Sequence, residues 1–239
     1  MKIRKLAISA AALLLTAVAV GAQTKAAHPQ FAAAEQAKLP WEWGVFFQGG
    51  SGVATRADYK LYSSGFRLGK VLTDEHLGGM FRGRFELAGE VIPYWQAYTP
   101  PPFRKLVTVR GSGGQTYQYY EYHGGGVFNG LALTPVIFRW DFAPHGRWAT
   151  YFQAAGGLIY TFHKFPPDIL VPHGQPGGTS VWNFSPQGAI GTQYFISPRR
   201  SIMLEAIAAH ISSASLGDKN PGVNASVQFQ IGYTCWGKK

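Results

Sequence analysis

The chain has 239 residues, one cysteine and a formal net charge of +10. A single cysteine excludes an intramolecular disulfide, so no such bond staples the fold. Glycine is abundant (30 residues), aromatic residues make up 15% and charged residues only 14%, a composition typical of a sheet-rich protein with many turns.

The first residues have the pattern of a secretory signal peptide. Lys2, Arg4 and Lys5 precede an apolar run over residues 6–20, and the small residues Gly21 and Ala22 provide a cleavage site. We therefore expect a signal peptide over 1–22, an N-terminal periplasmic segment over 23–40 and one domain over 41–239. Export argues against a nucleic-acid partner.

Alternation of apolar and polar residues is the dominant pattern after residue 40. Phe85 and Leu87, for example, point to one face of a segment whose other face carries Arg84 and Glu86, and this period of two predicts a strand. Eight segments share the pattern: 41–53, 59–72, 81–96, 123–142, 147–162, 179–196, 200–213 and 222–236. Pro135 and Pro186 interrupt it, so we expect a bulge or bend at each.

The connections between the eight segments alternate in length. Short links follow the second, fourth and sixth segments, whereas long Gly/Pro-rich loops containing "TPPPFRK" and "KFPPDILVPHGQPGG" follow the third and fifth. Short turns on one side and long loops on the other are typical of outer-membrane barrels. The sequence therefore predicts an all-β fold, an eight-stranded antiparallel up-and-down transmembrane β-barrel of the bacterial outer membrane.

The charged residues decide how the faces of this barrel are oriented. In a soluble β-sandwich, which is the alternative fold, the apolar faces would form the core; in a barrel they contact lipid and the charges fill the lumen. The predicted lumen residues are Glu42, Arg67, Arg82, Arg84, Glu86, Glu90, Arg139, Asp141 and Glu205. This interior argues against a porin-like channel, because so many charged side chains would plug it.

A histidine and a serine two residues apart end the seventh segment. Ala206 and Ala208 share the apolar face of this segment, and period two continues that face to His210 and Ser212. An imidazole within reach of a hydroxyl is the arrangement that a serine nucleophile and its general base need. Polar residues on a lipid-facing stripe are costly and tend to be functional, but a strand end followed by a turn is the alternative reading.

The stretch from His210 to Asn224, followed by "ASVQFQIGYTCW", resembles the PagL-type lipid A 3-O-deacylases, also called acyloxyacyl hydrolases. The resemblance implies a metal-independent esterase that removes a 3-O-linked acyl chain from lipid A in the outer leaflet. It implies His210 as the base and Ser212 as the nucleophile. Asn220 matches an oxyanion-hole asparagine, and we expect the Gly217 backbone N–H to assist it.

One position departs from the family pattern, since Asn224 stands where the resemblance implies a glutamate that orients the histidine. Asn224 or Asp218 is then the candidate for this role, and Lys219 is the candidate contact for a lipid phosphate. No cofactor and no metal site follow from the sequence. The expected partners are lipid A or lipopolysaccharide as substrate and the lipids of the outer membrane, and a homodimer is left open. The alternative function is a non-catalytic small barrel with a structural or lipid-binding role.

Overall fold

The computed structural model describes residues 39–123, 125–166, 180–213 and 224–237. The predicted signal peptide and most of the predicted periplasmic segment lie outside these residues. Ten strands form in the described part of the chain: β1 (Trp41–Gly52), β2 (Lys60–Val71), β3 (Gly83–Tyr98), β4 (Phe103–Arg110), β5 (Thr116–His123), β6 (Val127–Phe142), β7 (Trp148–Phe165), β8 (Ser180–Ser197), β9 (Arg200–His210) and β10 (Ala225–Gly237). None of its helices is long and apolar enough to cross a membrane.

Eight of the strands close into a barrel. Their order around the wall is β1, β10, β9, β8, β7, β6, β3, β2, and β1 pairs antiparallel with both β2 and β10. These eight strands correspond to the eight predicted segments, so the predicted barrel is confirmed. Closure leaves no strand edge without a partner, which is what a wall surrounded by lipid requires.

The remaining two strands, β4 and β5, were not predicted. They form a separate antiparallel hairpin within the connection between β3 and β6. The sequence had indicated only a long loop there, and the predicted segment 123–142 began too early, because residue 123 ends β5 and β6 begins at Val127.

The outer wall of the barrel is apolar. Trp43, Phe47 and Phe66 are 58%, 50% and 59% exposed, and large apolar side chains point outward from every one of the eight wall strands. In water such a surface would be strongly unfavourable, whereas in a bilayer it is the surface that contacts acyl chains. The barrel therefore spans a membrane, and the soluble sandwich is excluded.

A network of buried charges fills the middle of the barrel, and Arg139 is its centre. The guanidinium of Arg139 donates to Glu42 Oε2 at 3.0 Å, to Glu205 Oε1 at 3.2 Å and to Gln153 Oε1 at 3.2 Å, and it lies 3.8 Å from the centroid of the Tyr151 ring. These bonds join strands β1, β6, β7 and β9 across the lumen. Such a network costs desolvation of each charge and is stable only when the partners remain together.

A second arginine extends the network, and one predicted member lies outside it. Arg67 donates to Glu90 Oε1 at 3.0 Å and contacts Glu42 at 3.3 Å. Arg82, by contrast, is 57% exposed and pairs with Glu75 outside the barrel. Its predicted place in the lumen is wrong because β3 begins at Gly83, one residue later.

Apolar side chains close the lumen on both sides of the charged layer. Leu39, Val71, Ala149, Phe195 and Trp236 form a cluster at the end where β1 begins. A larger cluster towards the opposite end includes Tyr59, Leu61, Trp95, Phe128, Phe165 and Ile211. A small polar cavity of about 30 Å³ lies inside the barrel, which is room for only one or two water molecules. This packing is incompatible with a porin-like channel.

The two prolines that interrupt the alternation behave differently. Beside Pro135 the register shifts between Leu133 and Val136, which confirms the expected irregularity. At Pro186 the register with β7 continues without a shift, so no bulge interrupts that pairing, whereas the pairing with β9 ends beside the proline at Gln187.

Replacement of Gly191 by alanine is expected to lower the free energy of unfolding by about 1–3 kcal/mol, because it overpacks the lumen. A Cβ at this position would lie 2.7 Å from Cε2 of Tyr151, whose hydroxyl is fixed by a 2.7 Å bond to Glu205. The matched control is Gly156→Ala on β7, where nothing lies within 4 Å. Urea titration of the barrel in lipid vesicles measures both; equal stability of the two variants would contradict the prediction.

Candidate active site

His210 and Ser212 both belong to the outward face of the wall. Along β9, Met203, Glu205 and Ile207 are buried, whereas Ala206, Ala208 and His210 alternate with them on the outside. Ser212 continues this face beyond the strand, since it exchanges two backbone hydrogen bonds with Phe184 of β8 (2.9 and 2.6 Å). Both side chains are partly exposed. The alternation thus predicted correctly the face on which they lie.

Pro186 explains why β9 ends at His210. The pairs Gln187–Ala209 and Phe184–Ser212 belong to one continuous register, which puts Pro186 directly opposite His210. Proline has no N–H, so it cannot donate to the carbonyl of His210. The ladder is therefore interrupted beside the histidine and resumes at the serine, which makes this the point where the chain leaves the wall.

The spacing of the two side chains suits proton transfer. Residues i and i+2 of an extended segment are about 6.6 Å apart along the backbone and point to the same side. An imidazole is long enough to lean towards a hydroxyl across this gap, which is the reach that a general base needs.

Asn224 lies on the other face of the same wall. It is buried (5% exposed), and its carbonyl accepts a 3.0 Å hydrogen bond from the N–H of Ile211. Its neighbour Ala225 is the residue that pairs with His210, so in the register of β10 the Asn224 side chain points into the barrel. The predicted contact between Asn224 and His210 stays a prediction, and this placement argues against it.

The other predicted site residues lie outside the described part of the chain. These are Gly217, Asp218, Lys219 and Asn220.

A buried arginine behind the site was not predicted. Arg56, in the link between β1 and β2, is 1% exposed and donates a hydrogen bond to the Tyr59 hydroxyl, with its guanidinium 5.0 Å from the centre of that ring. Burial lowers the pKa of Arg56 and raises the pKa of Tyr59 from their ordinary values. With Asn224 and Ser226 they line a small space against the inner side of the wall. In the sequence no pattern distinguishes Arg56 from an ordinary turn residue.

The wall below His210 is lined by small side chains. Ala208, Gly188 and Ala206 are neighbours in the register of β8 and β9, and larger exposed residues, Val227 and Ile190, flank them. We call this strip of small side chains on the lipid-facing surface below the His/Ser pair the depression, because the larger neighbours project further from the wall. Ile211, which lies between His210 and Ser212, is 3% exposed and packs inside the barrel, so it does not contribute to this surface.

The described residues include no cluster of three His, Cys, Asp or Glu side chains that could hold a metal ion. The candidate site combines a histidine, a serine and an apolar surface. This set of groups suits nucleophilic attack on a carbonyl that is embedded in lipid.

Comparison with known proteins identifies one family. The model of the lipid A 3-O-deacylase (PagL) family matches residues 93–234, more than half of the chain, and no curated protein sequence matches it. Among solved structures, the outer membrane enzyme PagL aligns with 13% identity and a TM-score of 0.42, covering 79% of this chain and 97% of that chain. The N-terminal β-barrel domain of Pseudomonas aeruginosa OprF aligns with 11% identity and a TM-score of 0.37, covering 80% and 96%. Pseudomonas aeruginosa OprG aligns equally well, with 11% identity, a TM-score of 0.37 and coverage of 83% and 93%.

Proposed function

Because this chain belongs to the PagL family of lipid A 3-O-deacylases, we propose that it hydrolyses the ester that links an acyl chain to the 3-position of lipid A. The observation that carries this proposal is the placement of His210 and Ser212 on the outward, lipid-facing side of the wall. A lipid ester reaches such a pair by lateral diffusion, without entering the closed lumen. We place the barrel in the bacterial outer membrane with this end at the outer leaflet.

The reaction proceeds in two steps. The Ser212 Oγ attacks the ester carbonyl while His210 takes the hydroxyl proton, and the resulting tetrahedral oxyanion is stabilised by N–H donors. When this intermediate collapses, the C–O bond to the sugar breaks and His210 returns the proton to the sugar oxygen. Water then attacks the acyl-serine, with His210 again as the base, and releases the hydroxy fatty acid. We assign Asn220 and the Gly217 N–H to the oxyanion, and Lys219 to a phosphate of the substrate.

The acyl chain lies along the depression formed by Ala206, Ala208 and Gly188. A chain that packs against this surface places its carbonyl carbon at the His/Ser pair, and its tail remains in the hydrocarbon layer. Positioning of this kind is worth several orders of magnitude in rate when the reacting atoms are held close together. The proposal does not extend to a homodimer, which neither the family match nor the described residues support.

The test uses purified, folded protein in neutral detergent with lipid A that carries one 3-O-linked hydroxyacyl chain. We expect release of that hydroxy fatty acid and loss of its mass from lipid A in the mass spectrum. Lipid A that lacks the 3-O ester but keeps its amide-linked chains should be unchanged. If both lipids stay intact with a folded barrel, the chain is a non-catalytic barrel with a structural or lipid-binding role.

Ala208→Phe is expected to lower kcat/KM for lipid A at least tenfold, since a ring fills the depression where the acyl chain packs; loss of about 1.4 kcal/mol of binding has this effect. Ser64→Phe on β2, separated from β9 by β1 and β10, is the outward-facing control and should change kcat/KM less than twofold, a difference of about 0.4 kcal/mol. If the two substitutions lower kcat/KM equally, the acyl chain does not bind at this surface. Both rates are measured on the same lipid A micelles.

Asn224→Glu is expected not to raise turnover. The position faces the lumen beside Arg56, so a carboxylate there meets the buried guanidinium rather than the imidazole of His210. A several-fold increase in kcat, measured in the same assay, would instead show that residue 224 orients His210 as the family pattern implies.

A further inference from the structure

The β4–β5 hairpin has no role in the proposed esterase. It leaves the barrel between β3 and β6, where Thr99 N donates to Gly126 O at 2.8 Å and Gly126 N donates to Pro100 O at 3.0 Å. Each strand has eight residues, so the hairpin is about 26 Å long. Its described side chains, up to Tyr120, are exposed or half-exposed.

The two faces of the hairpin differ in chemistry. Residues that are directly opposite in an antiparallel pair share a face, and the register pairs Leu106 with Tyr120 and Thr108 with Gln118. One face, which we call the arginine face, thus includes Arg104, Leu106, Thr108, Arg110, Thr116, Gln118 and Tyr120. The other face carries Lys105 among Val107, Val109, Tyr117 and Tyr119 and is mainly apolar.

Contacts on the arginine face already arrange its polar groups. The Arg104 guanidinium lies 5.2 Å from the centre of the Tyr120 ring, and Gln118 Nε2 donates to Thr108 Oγ1 at 3.4 Å. A guanidinium stacked on an aromatic ring keeps its N–H edge available for a bidentate bond to phosphate. Arg104 and Arg110 are six residues apart, or about 20 Å, so each reaches a different anionic group.

The charge of the hairpin and its position at the membrane indicate which kind of ligand binds the arginine face. The segment 99–126 contains three Lys/Arg residues and one acid, Glu121. The hairpin leaves the wall at Tyr98, which with Tyr94 is more than 40% exposed; exposed aromatic residues at the rim mark the level of the lipid head groups. The hairpin therefore begins at the head-group level, and its arginines, tyrosine and amide and hydroxyl donors match phosphorylated sugars.

The hairpin is on the far side of the barrel from the candidate active site. Between β9, which carries His210, and the boundary of β6 and β3 lie three strands in one direction and four in the other. A lipid bound at His210 and Ser212 therefore does not lie at the base of the hairpin. We propose that the arginine face binds the phosphorylated sugar head groups of neighbouring membrane glycolipids and so anchors the barrel among them.

The test is microscale thermophoresis of the full chain in neutral-detergent micelles. The probe is the bisphosphorylated glucosamine disaccharide without acyl chains, which neither enters a micelle nor offers an ester. We expect salt-sensitive binding that Arg104→Gln/Arg110→Gln weakens at least about tenfold, because two charge-assisted bonds are lost. Arg110→Gln and Lys105→Gln remove equal charge from opposite faces, and only Arg110→Gln should weaken binding more than about twofold.

Other outcomes would overturn the proposal. Equal losses from Arg110→Gln and Lys105→Gln would mean that the net charge of the hairpin, and not this face, attracts the probe. Equal binding of the unphosphorylated disaccharide or of inorganic phosphate would exclude a glycolipid head group, and self-association that the double variant abolishes would make the face a contact between copies. Ser212→Ala should bind the probe as tightly as the wild type does. Binding of the probe to the arginine face therefore does not depend on esterase activity.

Discussion

Ser212→Ala is expected to lower the rate of lipid A deacylation at least about 10³-fold, because it removes the nucleophile and leaves water without covalent catalysis. The barrel should remain folded, since Ser212 lies outward at the end of the wall and contributes nothing to the charged interior. The initial rate of fatty acid release by wild type and variant, at equal concentrations of folded protein, measures the effect.

The adjacent serine is the control for this substitution. Ser213 is 1% exposed and faces the opposite way, so Ser213→Ala should keep the rate within a few-fold. His210→Ala should cost about as much as Ser212→Ala, and the double variant should be no slower than either single one, because the two residues act as a unit. If deacylation continues in Ser212→Ala but is lost in Ser213→Ala, then Ser213 and not Ser212 is the nucleophile.

Arg139→Met is expected to lower the free energy of unfolding by about 3–5 kcal/mol, because it leaves buried carboxylates without their main partner. Glu42 and Glu205 both accept hydrogen bonds from this guanidinium, and all three side chains are fully buried. Urea titration in lipid vesicles, read by the mobility of folded and unfolded protein in a gel, measures the loss.

Arg82→Met provides the matched control, because its ion pair with Glu75 is exposed and exposed pairs contribute about 0–1 kcal/mol. Arg139→Lys keeps the charge but not the forked donors, so its stability should fall between those of wild type and Arg139→Met. Equal stability of Arg139→Met and Arg82→Met would contradict the central position of Arg139.

The charged interior also supports the candidate site. Glu205 lies on β9, and its carboxylate accepts bonds from Tyr151 (2.7 Å), Gln153 (3.1 Å) and Arg139 (3.2 Å). The inner face of the strand is thereby fixed five residues before His210. Catalytic groups need precise placement, and this rigid strand supports His210 and Ser212 at the point where the chain leaves the wall.

The strands of the wall could be predicted because large apolar residues recur on the outer face of each strand, while charged and polar residues mark the inner face near the middle of the barrel. The same alternation placed Ser212 on the outside, and Phe184 holds it there. The β4–β5 hairpin escaped prediction because Leu106 lies among the polar residues of one face and Lys105 among the apolar residues of the other, so the alternation is broken on both faces. Arg56 escaped it because its burial arises from a link that folds over the barrel mouth, a tertiary effect without local signal.

The measurement that tests the central claim most directly is covalent trapping of Ser212. An alkyl fluorophosphonate inserted in the same micelles offers a phosphorus centre from which a serine Oγ displaces fluoride. We expect one adduct per chain on the peptide that contains Ser212, and its absence in His210→Ala, which lacks the base. No adduct on folded protein, or an adduct on Ser213 that persists in Ser212→Ala, would contradict the account.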